Sequence, residues 1–203
     1  MGWLPVGICK VAACIYLWHL ALMSQLTDFS RFLKTDELAA LGPTRRPGAR
    51  SLDELEADLA PLLQVSTLQK DRKQSIRALV LLWHDHLDPS HEISQAIDTP
   101  DGAFVHGIMH RREPDFGNAG YWFRRVGRHP AFDQLALKVE SLLRAGSETE
   151  LLNKLVHDGR WDPFGFINTC ETASGKACAD QQLLQQVQQL EFESLLESLQ
   201  AMD

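Results

Sequence analysis
The chain has 203 residues, 44% hydrophobic and 23% charged, which is the balance of a globular protein long enough to bury one sizeable core. Its net charge of -7 excludes the overall basic footprint of a general nucleic-acid binder. The four cysteines (Cys9, Cys14, Cys170 and Cys178) lack the C-x2-C spacing of a zinc knuckle, so they read as incidental thiols, reduced unless the chain is exported.

Residues 1–22 are apolar with a single Lys10 in the middle, where a signal peptide would carry its charge first. The apolar run after Lys10 is too short to span a bilayer. Val11-Ala12-Ala13-Cys14 has the letters of a lipobox, but apolar residues follow it where a lipoprotein has a polar tether. We read residues 1–22 as an extension upstream of a start at Met23, in preference to an export or anchor segment. Residues 23–203 then form one cytoplasmic helical domain with no membrane segment.

From Ser24 onward the apolar spacing is helical throughout. Residues 27–40 predict a first helix ending at Gly42-Pro43, followed by the turn-rich linker TRRPGARS. Ser51-Leu-Asp-Glu54 is a capping box opening a helix through Leu63, and Ser66 with Gln69 has the letters of another. The helix that follows carries Ile76, Leu79, Val80, Trp83 and Leu87 on one face. Asp88-Pro89 reads as the N-cap and first residue of a short helix. Helices over 103–113 and 118–126 follow, broken at Pro114 to Gly117, and His129-Pro130 opens the next. Ser147 to Glu150 caps another, ending at Asp158-Gly159. Asp162-Pro163 starts a short helix, and residues 180–201 form a last amphipathic one. With no strand-like alternation, the fold class is all-α: a single compact array of about eight to nine helices.

The chemistry concentrates between residues 84 and 129, which hold six of the eight histidines. His106, His110 and Glu113 fall at i, i+4 and i+7 on one helix face. Two histidines one turn apart can grip one ion. Gly107 stands where the zinc-protease signature has its glutamate, so that class is excluded. His84 or His91, from the preceding helix end, supplies a third ligand, and the set suits Zn, Mn, Fe or Ni. Glu113 is the candidate catalytic base. Five arginines lie between 104 and 130 against Glu113 and Asp115. Of these, Arg111, Arg112, Arg124 and Arg125, with Tyr121 beside them, form a candidate site for a carboxylate or phosphate. The bland alternative is an internal arginine–carboxylate lattice, with Trp83, Trp122 and Phe123 as core. Nucleophile elbows, Walker glycines and dinucleotide glycines are absent from the sequence.

The strings LLWHDHLDPSH and HGIMHRREPDFGNAGYWFRRVGRHP resemble a family of bacterial and fungal proteins, over about residues 80–131. WDPF at 161–164 extends the resemblance. It implies a helical domain and carries no catalytic residue with it. Two functions therefore stand open: a metal-dependent enzyme acting on a small anionic substrate, or a non-enzymatic helical module binding a small anion or acidic partner through Arg111, Arg112, Arg124 and Arg125. The oligomeric state is not legible.

Overall fold
The computed structural model describes residues 28–174 and 181–201. The reading of residues 1–22 and of Met23 as a start, and the state of Cys178, lie outside those residues. Residues 34–50 and the short connections aside, the described chain is helical, with one two-stranded hairpin. A five-residue 3-10 turn, Phe29–Leu33, comes first. Then follow α1 (Leu52–Val65), α2 (Lys70–Trp83), α3 (Leu87–Ser94), α4 (Pro100–Arg112), α5 (Phe116–Val126), α6 (Ala131–Ala145) and α7 (Thr149–Leu155). Strands β1 (Val156–His157) and β2 (Arg160–Trp161) precede α8 (Pro163–Ala173) and α9 (Gln181–Gln200). Among the described residues no helix is long and apolar enough to cross a membrane.

Helix starts follow from short polar side chains that satisfy otherwise unpaired N–H groups. Ser51 and Glu54 form the full capping box of α1. Thr99 caps α4 by accepting from the Gly102 N–H, with Pro100 in the first turn. Asp115 accepts from the Asn118 N–H and Asp162 from the Phe164 N–H, opening α5 and α8.

Several expected boundaries differ. The helix expected over 27–40 is only the 3-10 turn, which still buries Phe29, Phe32 and Leu33. Ser66 ends α1 and accepts a bond from the Leu68 N–H at 3.4 Å, so the second capping box does not form. Helix α3 begins at Leu87, which puts Asp88 inside its first turn and makes His86 the preceding residue. Ser147 takes a left-handed φ of 59°, and Glu148 precedes α7. Asp158 and Gly159, read as a helix end, instead turn a hairpin that pairs Val156 with Trp161 and His157 with Arg160. Both have positive φ (51° and 71°), as a tight two-residue hairpin turn requires.

The packing explains why α4 is central. Its residues from Gly102 to Arg112 are all buried, so it presents no solvent stripe. Two apolar clusters hold the array. One joins the 3-10 turn with α1, α2, α4 and α9 through Phe29, Leu59, Leu79, Trp83, Phe104 and Phe192. The other joins α6, the hairpin, α8 and α9 through Leu135, Val139, Trp161 and Phe166. Phe116 and Phe132 pack against both.

Helices α4 and α5 approach most closely at Gly107. A Cβ there would lie 2.8 Å from the ring of Phe123, which is itself buried. A Gly107→Ala substitution is therefore expected to cost about 1–3 kcal/mol by overpacking. It should also push α5 away from the histidines of α4. Thermal unfolding measures the first effect and ion affinity the second.

Candidate metal centre
Three histidines meet where α3, α4 and α5 converge. His91 lies near the end of α3, and His106 and His110 lie one turn apart on α4. Each offers a ring nitrogen, and these atoms lie within 4.8 Å of one another. The rings of His106 and His110 stack at 4.7 Å with 17° between their planes. His91 sits edge-on to both, at 4.8 and 5.1 Å. A tetrahedral ion bound at about 2.0–2.1 Å would draw its ligand nitrogens to about 3.4 Å apart. Binding would have to draw the three nitrogens closer together than they stand here.

The decisive residue is His106. It is 2% exposed, and among the described residues neither of its ring nitrogens has a hydrogen-bond partner. An imidazole carries one donor and one acceptor, and burying both unmet is costly. The indole of Trp122 stacks on it at 3.9 Å and 21°, which fixes the ring and keeps water off. Burial, with His110 and His91 nearby, pushes the His106 pKa down to about 3. Burial also lowers His110, against the opposing pull of Glu113. Neutral imidazoles are what metal ligation needs.

Asn118 and Glu113 orient His110. The Asn118 amide lies 3.1 Å from Nε2, and the Glu113 carboxylate lies 3.2 Å from Nδ1. With the amide donating to Nε2, Nδ1 carries the proton and donates it to Glu113, so ligation through Nε2 requires the Asn118 amide to turn away. A carboxylate on the far nitrogen of a ligand histidine fixes its tautomer and raises its basicity. Glu113 thus holds the His110 ring, and its side chain is 37% exposed.

The remaining sequence candidates divide cleanly. His84 lies outside the histidine group. Its Nε2 lies 2.9 Å from the Phe32 carbonyl, and its Nδ1 accepts from the Arg50 N–H at 3.4 Å. Both nitrogens are engaged at the end of α2, and His84 is not in the histidine group. Arg111 and Arg112, expected at an anion site, have both guanidinium groups buried in ion pairs. Arg111 forks onto Glu191 of α9 and lies over the Phe166 ring at 4.3 Å. Arg112 pairs with Asp85 at 2.7 Å and donates to the Leu82 and Gly42 carbonyls. These two arginines are the internal lattice, and they pin the last turn of α4 that carries His110.

Arg125 is different. It is exposed on α5, reaches Asp98 at 2.7 Å and Tyr121 Oη at 3.5 Å, and lies over Trp122 at 5.1 Å. Arg125 and Tyr121 therefore edge the histidine group through Trp122. Arg124 is exposed and folds back along α5 beside Gly120. His86 and His129 serve the fold: His86 bonds the Arg50 carbonyl, and His129 bonds Asp101 and the Ala131 N–H.

Two site residues were not singled out from the sequence as members of the site: Asn118, and Trp122, which reads there as core. Their i, i+4 spacing puts them on one face of α5, and that was the available signal.

The fold and the site together define an all-α domain with a three-histidine group, two of its members buried, at a helix junction. Comparison of the chain with protein-family models, curated proteins and solved structures gives no match. The residues alone carry the functional argument.

Proposed function
We propose that this protein binds one divalent transition-metal ion through His91, His106 and His110, and that the ion is the centre of an enzyme acting on a small anionic substrate. The observation that carries the reading is the buried His106 ring, with both nitrogens unpartnered among the described residues, inside a group of three histidines. All-nitrogen ligation suits Zn, Fe or Ni, with Mn the weakest binder of the set. Three protein ligands leave a coordination position open, which is the pattern of catalytic sites. A bound ion would supply Lewis-acid chemistry at that position. Glu113 holds His110, and when released from it is a carboxylate beside the group able to take a proton. Arg125, with Arg124 further along α5, supplies positive charge at the edge for a carboxylate or phosphate. The anion-binding module without a metal has less support, because two of its four arginines are closed inside the protein.

The test is a titration of chelator-stripped protein with Zn²⁺, Fe²⁺, Ni²⁺ and Mn²⁺, read by calorimetry and by Trp fluorescence. Saturation at one equivalent is expected, with Trp122 reporting it. A His106→Leu variant fills the same space without polar nitrogens. It should fold at least as stably as the metal-free parent and lose at least 100-fold in ion affinity. Absence of stoichiometric binding to the parent, or unchanged affinity in the variant, would overturn the reading.

A further inference from the structure
Away from the histidine group, a second constellation of charge surrounds a cavity of about 400 Å³. It opens between the segment after the 3-10 turn and the loop leading into α1, and His84 forms part of its wall. Arg31, Lys34, Arg46 and Arg50 all line it. Behind that wall lies an uneven ion cluster. Asp85 accepts from the Arg46 backbone N–H and Nε, both at 2.9 Å, and from Arg112 at 2.7 Å. The side chains of Asp85 and Arg112 are fully buried, and that of Arg46 is 8% exposed. One carboxylate therefore serves two buried guanidinium groups, leaving one positive charge in excess. Burial lowers the Arg112 pKa, and the neighbouring Arg46 and Arg111 charges lower it further against the pull of Asp85.

The cations facing the cavity are less engaged. Arg31 lies over the Phe32 ring, and among the described residues neither it nor Lys34 forms an ion pair. Arg50 pairs only with Asp58 of α1, which is more than half exposed. Asp36 and Glu37 also line the cavity. Neither side chain makes an ion pair among the described residues, and Glu37 meets Arg46 only through its backbone carbonyl. A concave wall carrying four cations against two carboxylates, backed by an excess buried positive charge, focuses positive field onto whatever enters it.

We propose that this cavity binds a small phosphate-type dianion, either the free ion or the phosphate of a small monoester. Arg31, Lys34 and Arg50 contact the anion, and the Arg46–Asp85–Arg112 cluster supplies field and shape. The volume leaves room for a short organic remainder, so the two sources are separable. This inference does not depend on the metal reading.

The experiment uses the full chain, stripped of metal so that the histidine group cannot report. It titrates inorganic phosphate and glycerol phosphate by calorimetry at low ionic strength. Saturable binding of at least one is expected, weakening with added salt. Tighter binding of glycerol phosphate assigns the site to a monoester, and preference for the inorganic ion assigns it to free phosphate. An Arg31→Ala/Lys34→Ala double variant, and separately Arg50→Gln, should each raise the Kd at least tenfold while leaving the melting temperature within a few degrees. Failure of both ligands to saturate the parent, or an unchanged Kd in both variants, overturns the proposal.

Discussion

Replacing Asp85 with alanine is expected to destabilise the protein by about 3–5 kcal/mol, the usual cost of stripping one partner from a buried ion pair. The loss should reach the upper end, because Asp85 answers to two cations. Its carboxylate holds Arg46 and Arg112 at once, and it also takes the Arg46 backbone N–H. Burial alone would raise the Asp85 pKa, but the bonds from Arg46 and Arg112 outweigh it and hold the carboxyl below its ordinary value. There is a second contribution. Asp85 sits in the left-handed region at φ 66°, which aspartate and asparagine tolerate better than alanine. Asp85→Asn separates the two effects, since it keeps the backbone preference and one acceptor oxygen while removing the charge. Denaturant unfolding of both variants should show a large loss for each, with alanine the worse. A loss under about 1 kcal/mol in Asp85→Asn would mean that the charge is not what holds Arg46 and Arg112. Because Arg112 ends α4 two residues after His110, ion affinity should fall along with stability.

The all-α architecture was legible because its signals are local. Helical spacing of apolar residues and the side-chain caps at Ser51 and Asp162 need no knowledge of distant neighbours. The Ser66 box failed because letters do not set backbone direction: Ser66 is spent ending α1. Asp158-Gly159 turned a hairpin because two left-handed residues in succession satisfy a tight turn as readily as a helix end. At the site, the i, i+4 spacing placed His106 and His110 on one face. Choosing between His84 and His91 needed tertiary distances. His84 meets the Phe32 carbonyl, 52 residues away, and that contact has no local signature. The arginines failed for the same reason. The string Arg111-Arg112-Glu113 looks like an exposed anion clamp, but on a helix buried all round its guanidinium groups must point inward to partners on other elements. Glu191 is 80 residues beyond Arg111.

Acid should unfold the metal-free protein at a higher pH than its carboxylates alone would set. The His84 pKa is pushed down to about 4, chiefly by burial, and that of His106 to about 3. The unfolded chain takes up these protons near pH 6.5, whereas the folded chain refuses them. Stability is therefore whole above pH 6.5 and falls as pH drops, until the folded pKa of each ring is reached. Each histidine contributes a slope of about 1.4 kcal/mol per pH unit. By pH 5 the two together cost roughly 4 kcal/mol, a large share of the stability of a typical domain. The structural cause at His84 is specific. As a neutral ring it donates from Nε2 to the Phe32 carbonyl and accepts the Arg50 N–H at Nδ1, so a second proton would face a donor, with the Arg46 and Arg50 charges nearby. At His106 a proton would enter a dry contact between Trp122 and two other imidazoles. Urea midpoints measured at half-unit steps from pH 7.5 to 4.5 should fall steeply below 6.5. The His106→Leu variant should show a shallower slope, since His84 and His110 remain to titrate in this way. A parent curve flat down to pH 5, or a variant curve identical to the parent's, would place the titrating groups elsewhere. Ion binding should add to the steepness, because protons and the metal compete for the same nitrogens and the ion's contribution is lost as they titrate.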